Sequence, residues 1–181
     1  MLTAGALVAK LQEDLTRKAY SFAEHIRVTS PYIAPGQEPL YELIARQAGE
    51  ERGFADNIAR LIVTLGGVPT PGLFDEGGAD TNYLKITYLG AELVTKRERA
   101  VRTAEERVED CAGHPAAREV MLAVLDVEQR HLRELREELA RHEAKAASKP
   151  AAQESGTAPP ESRADSGDGQ QSASSADSAK T

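Results

Sequence analysis

Four long stretches with apolar residues at helical spacing constrain this 181-residue chain more than any other feature. They predict helices over residues 3–29, 38–65 and 80–110, the third with Asp80 as its N-cap, and a fourth that begins at Pro115. At a rise of 1.5 Å per residue, the first three are each roughly 40–46 Å long. Strand signals are weak, so the sequence predicts an all-α fold.

The lengths of the three links predict how these helices are arranged. The first link, SPYIAPG, and the third, around GHP, are short, which makes the helices they join antiparallel neighbours. The second link, GGVPTPGLFDEGGADT, is long for a bundle loop. The expected architecture is therefore an antiparallel four-helix bundle with one long crossover between helices 2 and 3.

Composition divides the chain and excludes several classes of function. Residues 1–145 form the predicted bundle, and residues 146–181 lack Val, Ile, Leu, Phe and Met, which predicts a disordered, Ala/Ser-rich acidic tail that a protein partner could bind. The net charge of −7 argues against nucleic acid. The single cysteine excludes an intramolecular disulfide. No apolar run suits a membrane span or a signal peptide, so we expect no membrane partner and a cytoplasmic location.

Charged residues interrupt the apolar stripes near the middle of each predicted helix. Such residues are costly to bury unless they are paired or bind a metal, and mid-helix positions of a bundle meet at its centre. The residues are Lys18, Glu51, Glu98, Glu128 and His131.

Residues 1–145, with all four predicted helices, resemble the ferritin-like superfamily, nearest to bacterioferritin and related small proteins, and the specific motifs lie in helices 2 and 4. The matching runs are EERGFADNIARLIVTLGGVPTPG in helix 2 and VLDVEQRHLREL in helix 4. The resemblance implies a ferritin-like bundle with a dinuclear iron centre. It takes one Glu from each of two helices and a Glu-x-x-His from each of the other two.

Carried over residue by residue, the ligand set is incomplete. Glu128 and His131 match the Glu-x-x-His of helix 4, and Glu51 matches the bridging carboxylate of helix 2. Phe54 stands where the helix 2 histidine belongs, and Lys18 aligns with the glutamate of helix 1. In helix 3 the family's glutamate aligns with Glu98, although counting back from Glu128 without a gap gives Thr95.

Lys18 suggests how the centre is neutralised without metal. Facing carboxylates repel each other, and iron compensates them in the family. A lysine ammonium between Glu51 and Glu128 could do the same, while Phe54 excludes water. Our hypothesis is that Lys18 replaces the metal charge. His25, on the same stripe, is either a hydrogen-bond partner of a site carboxylate or a core histidine.

Three states of the centre stay open from the residues alone: a dinuclear iron site, a single iron or zinc ion, or no metal. Candidate ligands are Glu51, Glu98, Glu128 and His131. We expect no haem, because Arg52 stands where bacterioferritins carry a methionine haem ligand.

The first functional hypothesis is a ferritin-like protein with an impaired or absent iron centre and a scaffold or interaction role. The alternative is an active iron-binding ferroxidase, which is an enzyme only if metal is bound. A homodimer or higher homo-oligomer is expected in either case.

Overall fold

The computed structural model describes residues 2–72 and 81–148. It contains four antiparallel helical rods, as the sequence predicts, and the first of these rods is broken into two helices. The helices are α1 (Ala4–Ala19), α2 (Phe22–Val28), α3 (Glu38–Thr64), α4 (Ile86–Asp110) and α5 (Pro115–Ser148).

Ion pairs between the rods establish their directions. Lys10 of α1 lies 2.6 Å from Asp110 at the end of α4, and the later Asp14 pairs with the earlier Arg107, so these two helices are antiparallel. Arg46 of α3 lies 2.7 Å from Glu134 in α5, and the later Glu50 pairs with the earlier Arg130, so these are antiparallel too. α1 and α5 therefore run one way, and α3 and α4 the other, which requires the long crossover between α3 and α4.

The first rod breaks at Ser21, whereas the sequence stripe predicted one helix over residues 3–29. Ser21 has extended backbone angles, and its hydroxyl accepts a hydrogen bond from the Glu24 N–H at 3.2 Å, which caps α2. The sequence Ser21-Phe-Ala-Glu24 has the spacing of a capping box, a signal that the apolar stripe masked.

The crossover is attached at both of its described ends. Gln12 of α1 donates to the Val68 carbonyl at 2.6 Å and accepts from the Thr70 N–H at 2.9 Å. At the other end, Tyr32 and Lys85 form an isolated parallel bridge before α4 begins at Ile86. The predicted N-cap of this helix, Asp80, lies outside the described residues, and the helix begins later than the stripe indicated.

The buried apolar side chains form two clusters, one toward each end of the bundle. The first contains Leu7, Leu11, Leu15, Ala55, Ile58, Leu61, Ile62, Ala104, Cys111, Ala117, Met121 and Val124. The second contains Ala23, Ile26, Leu40, Ile44, Ala48, Ile86, Leu89, Leu93 and Leu135. In every rod the chain passes from one cluster to the other through a charged residue, so a polar layer separates the two halves of the core.

The carboxyl end of the bundle extends slightly beyond the predicted boundary, because α5 continues to Ser148. The predicted disordered tail otherwise lies outside the described residues. Among residues 2–72 and 81–148, every helix falls short, in length or in apolar character, of what spanning a membrane requires.

Candidate metal centre

The polar layer contains two glutamates and two basic residues, one from each rod. Lys18 lies near the end of α1, Glu51 in the middle of α3, Arg97 in the middle of α4 and Glu128 in the middle of α5. Their side chains are 11%, 5%, 3% and 2% exposed, respectively. The bundle therefore holds four charged groups in its interior.

Arg97 joins the two carboxylates directly. Its Nη1 donates to Glu51 Oε1 at 2.6 Å and to Glu128 Oε2 at 3.0 Å. Lys18 also contacts both, because its Nζ donates to Glu51 Oε1 at 3.2 Å and forms an ion pair with Glu128. Two negative and two positive charges thus sum to zero within one layer, which is the condition under which buried ions are tolerated.

The pKa directions agree with this arrangement. Burial alone would raise the pKa of Glu51, but the Arg97 guanidinium and the Lys18 ammonium outweigh it and hold the pKa at about 2. Burial lowers the pKa of Lys18 and Arg97 adds to that effect, while Glu51 opposes it. The glutamate is therefore charged at neutral pH.

Glu98, the expected helix 3 ligand, does not join this group. Its side chain is 38% exposed and forms an ion pair with Arg136 on the outside of the bundle. The inward face of α4 instead contains Ile86, Leu89, Leu93 and Arg97. The apolar stripe predicted from the sequence lies on a different face of α4, because it included Leu84 and Tyr88, and both of these side chains are exposed.

Arg97 was missed because arginine in a run of mixed charge indicates a surface position. The spacing of Ile86, Leu89 and Leu93 carries the signal that could have found it, since Arg97 is the next residue on that face. Of the two cations at the centre, only Lys18 was therefore predicted from the sequence.

His131 is completely buried, but its ring contacts a different carboxylate. Nε2 lies 3.1 Å from Glu50 Oε2, and the Gln47 amide donates to the His131 carbonyl at 3.0 Å. Burial lowers the pKa of His131 to about 4, Arg97 adds to this, and Glu50 opposes it. The imidazole is therefore neutral at pH 7, and its Nε2 is engaged with Glu50 between α3 and α5.

The other residues singled out from the sequence lie around the centre. Phe54 is half-buried and packs against the first apolar cluster. His25 is half-buried and stacks on Phe22, with the ring centroids 6.4 Å apart. Arg52 is exposed and pairs with Glu24, away from the bundle interior.

The residues at the centre do not fit a dinuclear iron site. Within residues 2–72 and 81–148, no three His, Cys, Asp or Glu side chains are grouped so that they could hold a metal ion. Glu51 and Glu128 converge, but Glu51 Oε1 and both oxygens of Glu128 contact an ammonium or a guanidinium, and Glu51 Oε2 accepts no hydrogen bond from the described residues. A metal would have to displace both cations, and the nearby imidazole is held by Glu50.

A second buried ionic group lies between this centre and the carboxyl end of α4, and it was not predicted from the sequence. Arg107 of α4 donates through Nε to Asp14 at 2.5 Å and through Nη1 to Asp110 at 2.7 Å. Lys10 completes the group through Asp110. This network ties α1 to the end of α4, where mutual pairing again offsets the cost of burial.

Fold and site together define a class: a ferritin-like four-helix bundle with paired glutamates at its midpoint. A family profile described as "Ferritin: Ferritin-like domain" matches residues 8–144. The chain belongs to the ferritin-like domain family.

Solved structures show the same fold at low identity. A bacterioferritin-related protein from Bacteroides fragilis, described as a dodecameric thioferritin, aligns with a TM-score of 0.66 and 20% identity over 81% of this chain and 92% of that one. Dps from Thermosynechococcus elongatus aligns with a TM-score of 0.54 and 17% identity, covering 74% and 92%. Dps from Mycobacterium smegmatis gives 0.51 and 20%, covering 78% and 86%. Among curated proteins, none matches this chain significantly.

Proposed function

We propose that this protein is a ferritin-like bundle that needs no iron at its centre and acts as a scaffold or interaction module. The observation that carries the proposal is the position of Arg97, whose Nη1 lies 2.6 Å from Glu51 and 3.0 Å from Glu128. With Lys18 in contact with the same two carboxylates, the charge that iron supplies in the family is already supplied by side chains.

A metal could enter this centre only by exchange with the cations that already pair with the two glutamates. Removing one partner from a buried ion pair costs about 3–5 kcal/mol, because the remaining charge is uncompensated. A metal entering between Glu51 and Glu128 would have to displace both Lys18 and Arg97 from the two carboxylates. The two displaced cations would then lack a counterion unless they reached solvent. The site also offers few ligands, since the histidine position of α3 holds Phe54. Metal binding is therefore disfavoured by charge and by ligand number together.

Elemental analysis of the purified protein tests this proposal. The protein is made in iron-replete and in zinc-replete medium, and metal per chain is measured. We expect a content far below one metal per chain in both. Two irons per chain would refute the proposal in favour of a dinuclear site, and one iron or zinc would refute it in favour of a mononuclear site. Iron oxidation by air at the background rate is expected in the same preparation, whereas acceleration would indicate a ferroxidase.

A set of variants tests which residues exclude the metal. The double substitution Lys18→Glu with Arg97→Glu exchanges both central cations for carboxylates and should raise iron binding in a titration. Glu98→Gln is the matched control, because Glu98 pairs with Arg136 outside the centre. Iron binding that depends on Glu98, or that the double variant leaves unchanged, would contradict the proposed role of the two cations.

We further propose that the chain assembles with copies of itself, since one aligned structure is described as dodecameric. A cytoplasmic location stays a prediction that fits this proposal. Sedimentation at several chain concentrations measures the assembly, and a monomer at every concentration would contradict it.

A further inference from the structure

A cleft of about 470 Å³ lies beside the central charged layer, bounded by α1, α2 and α4 with contributions from α3 and α5. Its volume is within the range of small-molecule sites in proteins. Its lining combines a charged end with an apolar wall. The charged end includes Lys18, Glu51, Arg97 and Glu128, and the apolar wall includes Ile58, Leu93, Ala104, Met121 and Val124.

Arg97 lines this cleft, and its hydrogen-bonding capacity is only partly used. Its Nη1 serves the two central glutamates, but Nε and Nη2 are buried and have no acceptor among the described residues. These two nitrogens form one side of the guanidinium, the fork that holds two oxygens of a carboxylate or phosphate. An arginine that is only 3% exposed should not leave this fork without an acceptor, because buried donors are expensive to leave unpaired.

The charges around the cleft favour an anion. Each of its acidic residues is paired with a cation, Asp14 with Arg107 and the two glutamates with the central cations, although Glu51 Oε2 itself accepts no hydrogen bond from the described residues. Lys96 and Arg99 add two exposed positive charges to the lining, and Lys96 Nζ lies 4.8 Å from the Phe22 ring centroid. The excess of positive charge would attract an anionic group toward Arg97.

We propose that this cleft binds a monocarboxylate with an apolar chain. The carboxylate would be held by Nε and Nη2 of Arg97, and the chain would lie against the apolar wall. The inference rests on the proposed function in one respect, that Arg97 and not a metal occupies the centre. A phosphate suits the fork equally, but it has no apolar part to cover the wall, and its second charge would raise the cost of burial.

Isothermal titration calorimetry with octanoate tests the proposal on the full chain. We expect one octanoate per chain, with 1-octanol binding at least about tenfold more weakly, because the alcohol cannot accept the paired charge-assisted hydrogen bonds. Absence of octanoate binding up to millimolar concentration, or equal binding of the alcohol, would overturn it. Tighter binding of inorganic phosphate than of octanoate would overturn it as well.

Two variants locate the site. Arg97→Lys keeps the central charge but loses the fork, and should weaken octanoate binding by about tenfold or more. Arg136→Lys, the same change on the surface, should leave binding unchanged. Ala100→Phe fills the cleft from its half-buried wall without altering the ionic layer, and it should also abolish binding. Unchanged binding in Arg97→Lys or in Ala100→Phe would place the ligand elsewhere and reject the proposal.

Metal content of the same samples separates this inference from the proposed function. A metal-free protein that does not bind octanoate rejects the ligand but leaves the metal-free centre standing. A protein with stoichiometric metal rejects the metal-free centre, and the octanoate proposal falls with it.

Discussion

Replacing Lys18 with methionine removes one of the two cations at the bundle centre while keeping most of the side-chain volume. Glu51 and Glu128 then share the single positive charge of Arg97, and one carboxylate is uncompensated in a layer bounded by two apolar clusters. We expect the variant to be less stable at neutral pH, because a charge left in this surrounding is costly.

The size of the effect has a ceiling that depends on pH. The uncompensated carboxylate can escape its penalty by taking a proton. From an ordinary pKa of 4.5, protonation at pH 7 costs about 2.5 pH units at about 1.4 kcal/mol each, or roughly 3 kcal/mol. Removing the buried ammonium also relieves its own desolvation, so we expect a loss of about 2–3 kcal/mol at pH 7. At pH 5 the ceiling falls below about 1 kcal/mol.

Urea unfolding followed by far-UV circular dichroism measures this difference, with the chain concentration held constant because assembly would shift the transition. Lys145→Met is the matched control, since Lys145 is exposed near the end of α5. Its free energy of unfolding should change by less than about 0.5 kcal/mol at either pH. Combining Lys18→Met with Glu51→Gln should cost less than the sum of the two single changes, because the second change removes the charge that the first leaves unpaired.

Two results would refute this reasoning. A loss below about 1 kcal/mol at pH 7 would mean that Lys18 does not neutralise the glutamates. A loss of about 2–3 kcal/mol that is the same at pH 5 and pH 7 would mean that the lysine acts through packing and not through charge.

Three further predictions concern the pH dependence of stability and two glycines. The free energy of unfolding should fall as the pH drops from about 7 to 4, because the unfolded chain takes up a proton at His131 before the folded protein does. It should fall again from about pH 4.5 toward 2, because Glu51 takes up a proton in the unfolded chain first, where its pKa is not lowered. Each step is worth about 3 kcal/mol at most, and urea unfolding across this pH range should show the first step missing in His131→Phe. Gly67→Ala should destabilise by about 1–3 kcal/mol, because a Cβ there would lie 2.8 Å from two aliphatic side chains of α1 and α3. At Gly53 an added Cβ would meet nothing within 4 Å, so Gly53→Ala should instead raise the free energy of unfolding by about 0.5–1 kcal/mol. Urea unfolding measures both glycine variants.

The helices α3 and α5 could be predicted from the sequence because their apolar stripes are unambiguous. In α3 the buried residues Leu40, Ile44, Ile58 and Leu61 recur at helical spacing, and the charged exception, Glu51, lies on the same face. Glu128 is the corresponding exception in α5. A charged residue on an otherwise apolar helix face can be identified without knowing which residues surround it. The position of the polar layer along α3 and α5 could therefore be predicted from the sequence.

The face of α4 could not be chosen in the same way. Two sets of apolar residues recur at helical spacing there, one through Leu84 and Tyr88 and one through Leu89 and Leu93. Only packing against α5 decides between them. The Gly90 backbone is close enough that an added Cβ would lie 3.1 Å from Leu139, and the resulting rotation places Arg97 inward and Glu98 against Arg136.

The sequence by itself thus determined the all-α bundle, the long crossover and the layer at which Lys18, Glu51 and Glu128 meet, because periodicity and loop length are local properties of the chain. The tertiary structure decided that Arg97 is the second cation and that His131 contacts Glu50. Those choices depend on a rotation of one helix and on which of two adjacent carboxylates an imidazole can reach, and both are properties of neighbouring helices in contact.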